Sequence, residues 1–92
     1  MMYAQKIHMK PGCSNSYKCV EIDTIYIEGA NPVTYYKKAE IYDYLQSNPK
    51  SIKVKDSTGP YLQGVVSVNY EKYVRSEPND TTKDNLLALP RE

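Results

Sequence analysis

The stretch TYYKKAEIYDYLQS, residues 34–47, decides how the chain is read, because it carries the one good helical repeat. Lys38, Ile41, Tyr42 and Leu45 fall at i, i+3, i+4 and i+7, so Ile41, Tyr42 and Leu45 form a stripe facing a core. Lys37, Glu40, Asp43 and Gln46 occupy the other faces. The spacing predicts a helix from about Thr34 to Ser47, with Thr34 as N-cap and Lys37 where a capping box would want Glu. Asn48-Pro49 stops it, since proline disfavours helical geometry in the residue before it.

On both sides of this helix the period changes from helical to two, the spacing of half-buried strands. Tyr3, Gln5, Ile7 and Met9 alternate with Ala4, Lys6, His8 and Lys10 until Pro11-Gly12 breaks the run. Cys13 to Tyr17 reads as a loop. A longer strand is expected from about Lys18 to Glu28. Val20 and Ile22 share one phase and Ile25 and Ile27 the other, so a β-bulge or tight bend near Asp23-Thr24 would return them all to one face. Gly29-Ala30-Asn31-Pro32 ends that strand.

After the helix, Ile52 and Val54 mark a short third strand and Asp56 to Pro60 a turn. A fourth strand, Tyr61 to Val68, is expected to turn Leu62, Val66 and Val68 inward. Its Gly64 suits a bulge or the close approach of another backbone. A turn near Asn69-Tyr70-Glu71 leads to a fifth strand, Lys72 to Ser76. Asp84 can cap a single helical turn, Asn85 to Leu89, before Pro90. The fold class is therefore α+β: a curved antiparallel sheet of about five strands, in the order β-β-α-β-β-β, covered by one helix. Leu86, Leu87 and Leu89 are expected to tuck under its edge, as fold-locking and not as bait for a partner.

At 92 residues the chain has the size of one domain, 1–92, burying roughly 60–65% of its unfolded surface. That leaves little room for a walled cavity. Twelve Lys and Arg stand against 11 Asp and Glu, so no global field steers the chain to nucleic acid or to an anionic membrane. The basic blocks at Lys6, Lys10 and Lys18 and at Lys50, Lys53 and Lys55, and the acidic one at Glu21, Asp23 and Glu28, read as solvated strand faces. Ten Tyr with no Phe and no Trp is an unusual balance, and each hydroxyl needs water or a partner, so these rings belong at a core rim or on a surface. No apolar run is long enough for a membrane span or a signal peptide. The expectation is a cytoplasmic protein with Cys13 and Cys19 reduced.

Near the end, Tyr73-Val74-Arg75-Ser76 is followed by Pro78-Asn79-Asp80-Thr81-Thr82-Lys83 and then Asp84-Asn85-Leu86-Leu87-Ala88-Leu89-Pro90. This resembles the ending of a bacterial family known as domain of unknown function 3892, whose members are about this length. The family pattern is Tyr-aliphatic-Arg-Thr, an Asp-rich turn, then Asp-Asn-Leu-Leu-x-Leu-Pro. Ser76 replaces the usual Thr, and Asp84 to Pro90 fits without a break. The resemblance implies the fold outline and no activity. Read from the residues, Asn79, Asp80 and Asp84 suit turns and caps, Arg75 suits a clamp onto Asp80 or Asp84, and Asn85, Leu86, Leu87 and Leu89 complete a structural motif.

Catalytic and metal chemistry find weak footing. His8, Cys13 and Cys19 are the soft ligands, but five residues separate the thiols and a fourth ligand would have to be a carboxylate such as Glu21, so no metal or other cofactor is expected. A small enzyme pairing a Cys nucleophile with His8 ranks third among the functional readings. The first is a non-catalytic domain binding a protein or its own copy through a Tyr-bearing sheet face or an exposed edge strand. The second is a single-strand nucleic-acid binder using Lys6, Lys10, Lys53 and Lys55 with Tyr61 and Tyr73, and with Tyr17 or Tyr26 nearby.

Overall fold

A computed structural model describes residues 1–16, 18–77 and 85–91, with Asn85 described by its backbone. Six strands and one α-helix appear among these residues: β1 (Met2–Met9), β2 (Ile22–Glu28), β3 (Thr34–Lys37), α1 (Lys38–Ser47), β4 (Ile52–Val54), β5 (Leu62–Val66) and β6 (Lys72–Ser76). Two 3-10 turns, Cys19–Glu21 and Asn85–Ala88, complete the list. The α+β class is as expected. The single antiparallel sheet is not: four strands form a mixed sheet in the order β3-β2-β1-β4, and β5 and β6 form a separate antiparallel pair. The helix causes the mixing. It carries the chain back along the sheet by about 15 Å at 1.5 Å per residue, so β4 enters beside β1 and parallel to it.

The helix starts four residues later than its repeat suggests. Thr34–Lys37 pairs with β2 in the register Ile25↔Tyr36 and Tyr26↔Tyr35, so the two tyrosines serve a strand, for which aromatic side chains are well suited. Lys37, not Thr34, is the N-cap, and its backbone N–H donates to Glu40 Oε1 at 3.1 Å. This is one half of a capping box, because lysine has no acceptor with which to return the bond.

The expected bulge in β2 is present. Met9 faces Ile22 and His8 faces Thr24, leaving Asp23 as the extra residue, and Ile22, Ile25 and Ile27 are all buried. A second bulge lies in β1, where Ala4 pairs Ile27 and Lys6 pairs Tyr26, with Gln5 between them unopposed. Strict alternation groups Ala4 with Lys6. The extra residue instead puts Ala4 and Ile7 in the core and Tyr3, Lys6 and His8 on the opposite face.

Core-face residues of the sheet pack with Ile41 and Leu45 of α1, Leu62 of β5, Val74 of β6, and Leu86, Leu87 and Leu89 in one cluster. Every core side chain is aliphatic. No described Tyr is buried, and Tyr36 and Tyr42 pack at the rim. Val66 and Val68 do not point inward: they are 44% and 94% exposed. Pairing ends at Val66↔Lys72, and Val68 lies in the turn beyond it, where no buried layer remains. Gly64 does permit a close approach, but of the Tyr42 ring of α1, and the β5–β6 register has no bulge.

The C-terminal segment is stitched to β1. Ile7 N–H donates to the Pro90 carbonyl at 2.9 Å, and Arg91 forms a parallel bridge to Ile7 on the edge of β1 that β4 leaves free beyond Ala4. The Arg91 guanidinium donates to the carbonyls of Ser14 at 2.9 Å, Ser16 at 2.8 Å and Leu87 at 3.1 Å. Asn79, Asp80, Asp84 and Tyr17 lie outside the described residues, and with them the partners named for the Arg75 clamp.

Candidate binding surface

The strand register sorts the four-stranded sheet into two faces. On the face away from the core, Tyr35, Tyr26 and Lys6 form one row across β3, β2 and β1, while Lys37, Thr24 and His8 form the next. Glu28, Tyr3 and Lys53 form a third across β2, β1 and β4. Tyr61 extends this last row through its antiparallel bridge to Lys53. The rings interact. His8 stacks on Tyr35 with centroids 4.3 Å apart and planes 3° from parallel, and Tyr26 meets Tyr35 edge-on at 5.2 Å. Lysine ammoniums sit over them: Lys6 is 5.5 Å from the Tyr26 centroid, Lys53 4.9 Å and Lys50 5.8 Å from that of Tyr61. Each such contact is a cation–π attraction of about 0.5–1 kcal/mol at an exposed site.

The residues singled out from sequence divide. Lys6, Lys53 and Tyr61 share this face. Lys55 is exposed just past β4, at φ 74°, and its carbonyl accepts from Gln5 Nε2 at 2.6 Å. Tyr73 belongs to the other sheet, paired with Val65. Lys10 is engaged elsewhere, in an ion pair with Glu71 at 2.6 Å. His8 is named from sequence only for metal or Cys-assisted chemistry, and Tyr3 and Tyr35 for no site. His8 does follow from the alternation in β1, but the other two depend on the Gln5 bulge and on β3.

Glu71 is the hub of a second cluster. It also takes the Lys38 ammonium, which donates in addition to the Val20 carbonyl. The hydrogen bonds from Lys10 and then Lys38 hold the Glu71 carboxyl at about 2, well below the ordinary 4.5. The same contact raises Lys10, whereas burial lowers Lys38. The cluster ties the β5–β6 turn to β1 and α1, and its members are too distant in the chain for any spacing to signal it. Cys13 donates to Glu21 Oε2 at 3.4 Å, and this bond raises the thiol pKa. A thiol held protonated is a poor nucleophile.

A cleft of about 830 Å³ opens between α1 and the core side of the sheet. Its floor includes Ile27, Ile41 and Ile52. Three of its polar side chains are turned onto the protein itself: Tyr36 OH donates to the Pro32 carbonyl, Ser51 Oγ to that of Asn48, and Glu40 accepts from Lys37.

The family model for the protein of unknown function DUF3892 matches residues 18–90. The chain belongs to that family. The DUF3892 match takes in Tyr26, Tyr35, Lys37, Lys53 and Tyr61 of the outer face and the buried Leu86, Leu87 and Leu89. β1, with Tyr3, Lys6 and His8, precedes the matched DUF3892 residues although it is central in the sheet. No curated protein and no solved structure matches the chain. No described helix is long and apolar enough to cross a membrane.

Proposed function

We propose that this protein is a non-catalytic binding domain and that its binding surface is the outer face of the four-stranded sheet. The observation that carries this is the array of Tyr3, Tyr26, Tyr35 and His8, interleaved with lysines, on the face opposite the core. Every buried apolar side chain of α1, β5, β6 and the C-terminal turn packs into the core cluster, so none of these elements is spent on the outer face. Aromatic rings at a surface supply large contact area with little conformational entropy to lose. Among the described residues β3 lies at the sheet edge, and its outer side pairs with no further strand there.

The test is a photo-crosslinking side chain placed at Tyr26, on the outer face, or at Tyr44, exposed on α1, in cells of the native host. Covalent adducts should form from position 26 and not from position 44. Absence of adducts at position 26 in a correctly folded variant refutes the proposal.

A further inference from the structure

Resting on that reading, we infer that the outer face takes single-stranded nucleic acid, its bases on the rings and its phosphates on the lysines. The composition of the face favours this partner over a protein. The paired positions on it are Tyr3, Lys6, His8, Thr24, Tyr26, Glu28, Tyr35, Lys37 and Lys53, and none is aliphatic. The centre of a protein interface is depleted in lysine and enriched in apolar surface. Closing this face on a second copy of itself would bring lysine toward lysine. Flat rings set among cations are instead what a stacking platform for bases requires.

Charge points the same way, despite a net charge of only +1 for the chain. Two acids that neutralise lysines lie away from this face: Glu71 holds Lys10 and Lys38, and Asp43 holds Lys72. Among the described residues no carboxylate forms an ion pair with the ammonium of Lys37, Lys50 or Lys53, and that of Lys53 donates to the Ser57 carbonyl at 2.8 Å. Glu28 is the one acid in the three rows, so the face is locally basic.

Geometry selects a single strand. A ring on a sheet reaches the face of a base only when that base is unstacked, which a duplex does not offer. From β3 to β4 the sheet spans about 14 Å at a strand spacing of ~4.8 Å, and Tyr61 extends the row. That width holds a few nucleotides, starting at the His8–Tyr35 stack, crossing Tyr26 and Tyr3, and ending where Lys53 and Lys50 sit over Tyr61.

The experiment is fluorescence anisotropy with labelled oligodeoxythymidine and oligouridine of about twelve nucleotides, within the site sizes such domains cover. With three or four lysines on phosphates, affinity should fall about 20- to 50-fold between about 50 and 200 mM salt. Tyr26→Ala should weaken binding about 5- to 150-fold. Lys53→Ala, at a surface position that leaves the core intact, should weaken it and lower the salt slope by about 0.7. Tyr44→Ala should bind as the wild type does. Failure to bind at low salt, binding without a salt slope, or unchanged affinity in both Tyr26→Ala and Lys53→Ala would overturn the inference. If oligonucleotides fail while position 26 still crosslinks to protein, the binding face stands and its nucleic-acid ligand is wrong; if position 26 captures nothing, both fall.

Discussion

Replacing Leu86 with alanine tests whether the C-terminal segment is part of the core. Leu86 is fully buried, and Leu87 and Leu89 beside it are 4% and 7% exposed. The Leu86→Ala variant loses the transfer energy of the removed methine and two methyl groups and leaves a cavity that the sheet behind it cannot collapse to fill. The expected cost is about 3 kcal/mol, within the ~2–5 kcal/mol usual for such sites. A domain of this size has a total stability of about 5–14 kcal/mol, so the loss is a large fraction of it. At about 4–8 °C per kcal/mol, the melting temperature should fall by about 12–24 °C. Urea titration followed by circular dichroism measures this, with an unchanged m-value indicating a stability change within the same two states. Ala88 is exposed, and Ala88→Ser should stay within about 0.5 kcal/mol of wild type. A Leu86→Ala variant as stable as Ala88→Ser would refute the assignment of the leucines to the core, and would return the segment to the surface as a docking peptide.

Two further outcomes follow from side-chain geometry. Because the folded Glu71 carboxyl is held at about 2 against 4.5 ordinarily, its contribution to stability is complete above about pH 4.5 and is lost as pH falls toward 2. Melting temperature measured against pH should therefore drop less steeply through that window in Glu71→Gln than in the wild type; parallel curves would show that the Lys10–Glu71–Lys38 cluster adds nothing. At Gly64, an added Cβ would lie 2.7 Å from Tyr42 Cδ2, 3.1 Å from Cε2 and 3.2 Å from Gln46 Nε2. Gly64→Ala should destabilise by about 1–3 kcal/mol, and much less in a Tyr42→Ala background, so strict additivity in a double-mutant cycle would contradict the contact.

Features written into local pattern were legible. The bulge at Asp23 shows because Ile22 and Ile25 are out of phase within one strand, and only an extra residue reconciles them. The helix core shows in the spacing of Ile41 and Leu45, and the leucine cluster at 86–89 stands out in a polar chain. The bulge at Gln5 leaves no such mark, because Tyr3 to Lys10 alternates without a break, and Ala4 and Tyr3 are both acceptable on either face. Thr34 to Lys37 runs into the helix with no interruption, and what makes it a strand is the backbone of β2 waiting beside it. The inward reading of Val66 and Val68 follows from alternation, which cannot say where a two-stranded ribbon runs out of core.

The amino-acid order by itself determined the element types over most of the chain, the aliphatic identity of the core and the placement of tyrosines outside it, because these depend on short-range periodicity and on the cost of burying a hydroxyl. Tertiary structure alone decided the candidate surface. Tyr26 meets Tyr35, His8 stacks on Tyr35, and Glu71 reaches Lys10 only after strands distant in sequence are set side by side. One unopposed residue in β1 then selects which side chains look outward. A strand's side-chain period is two, so a single inserted residue exchanges its faces, and that choice is settled by pairing with neighbours and not by the strand itself.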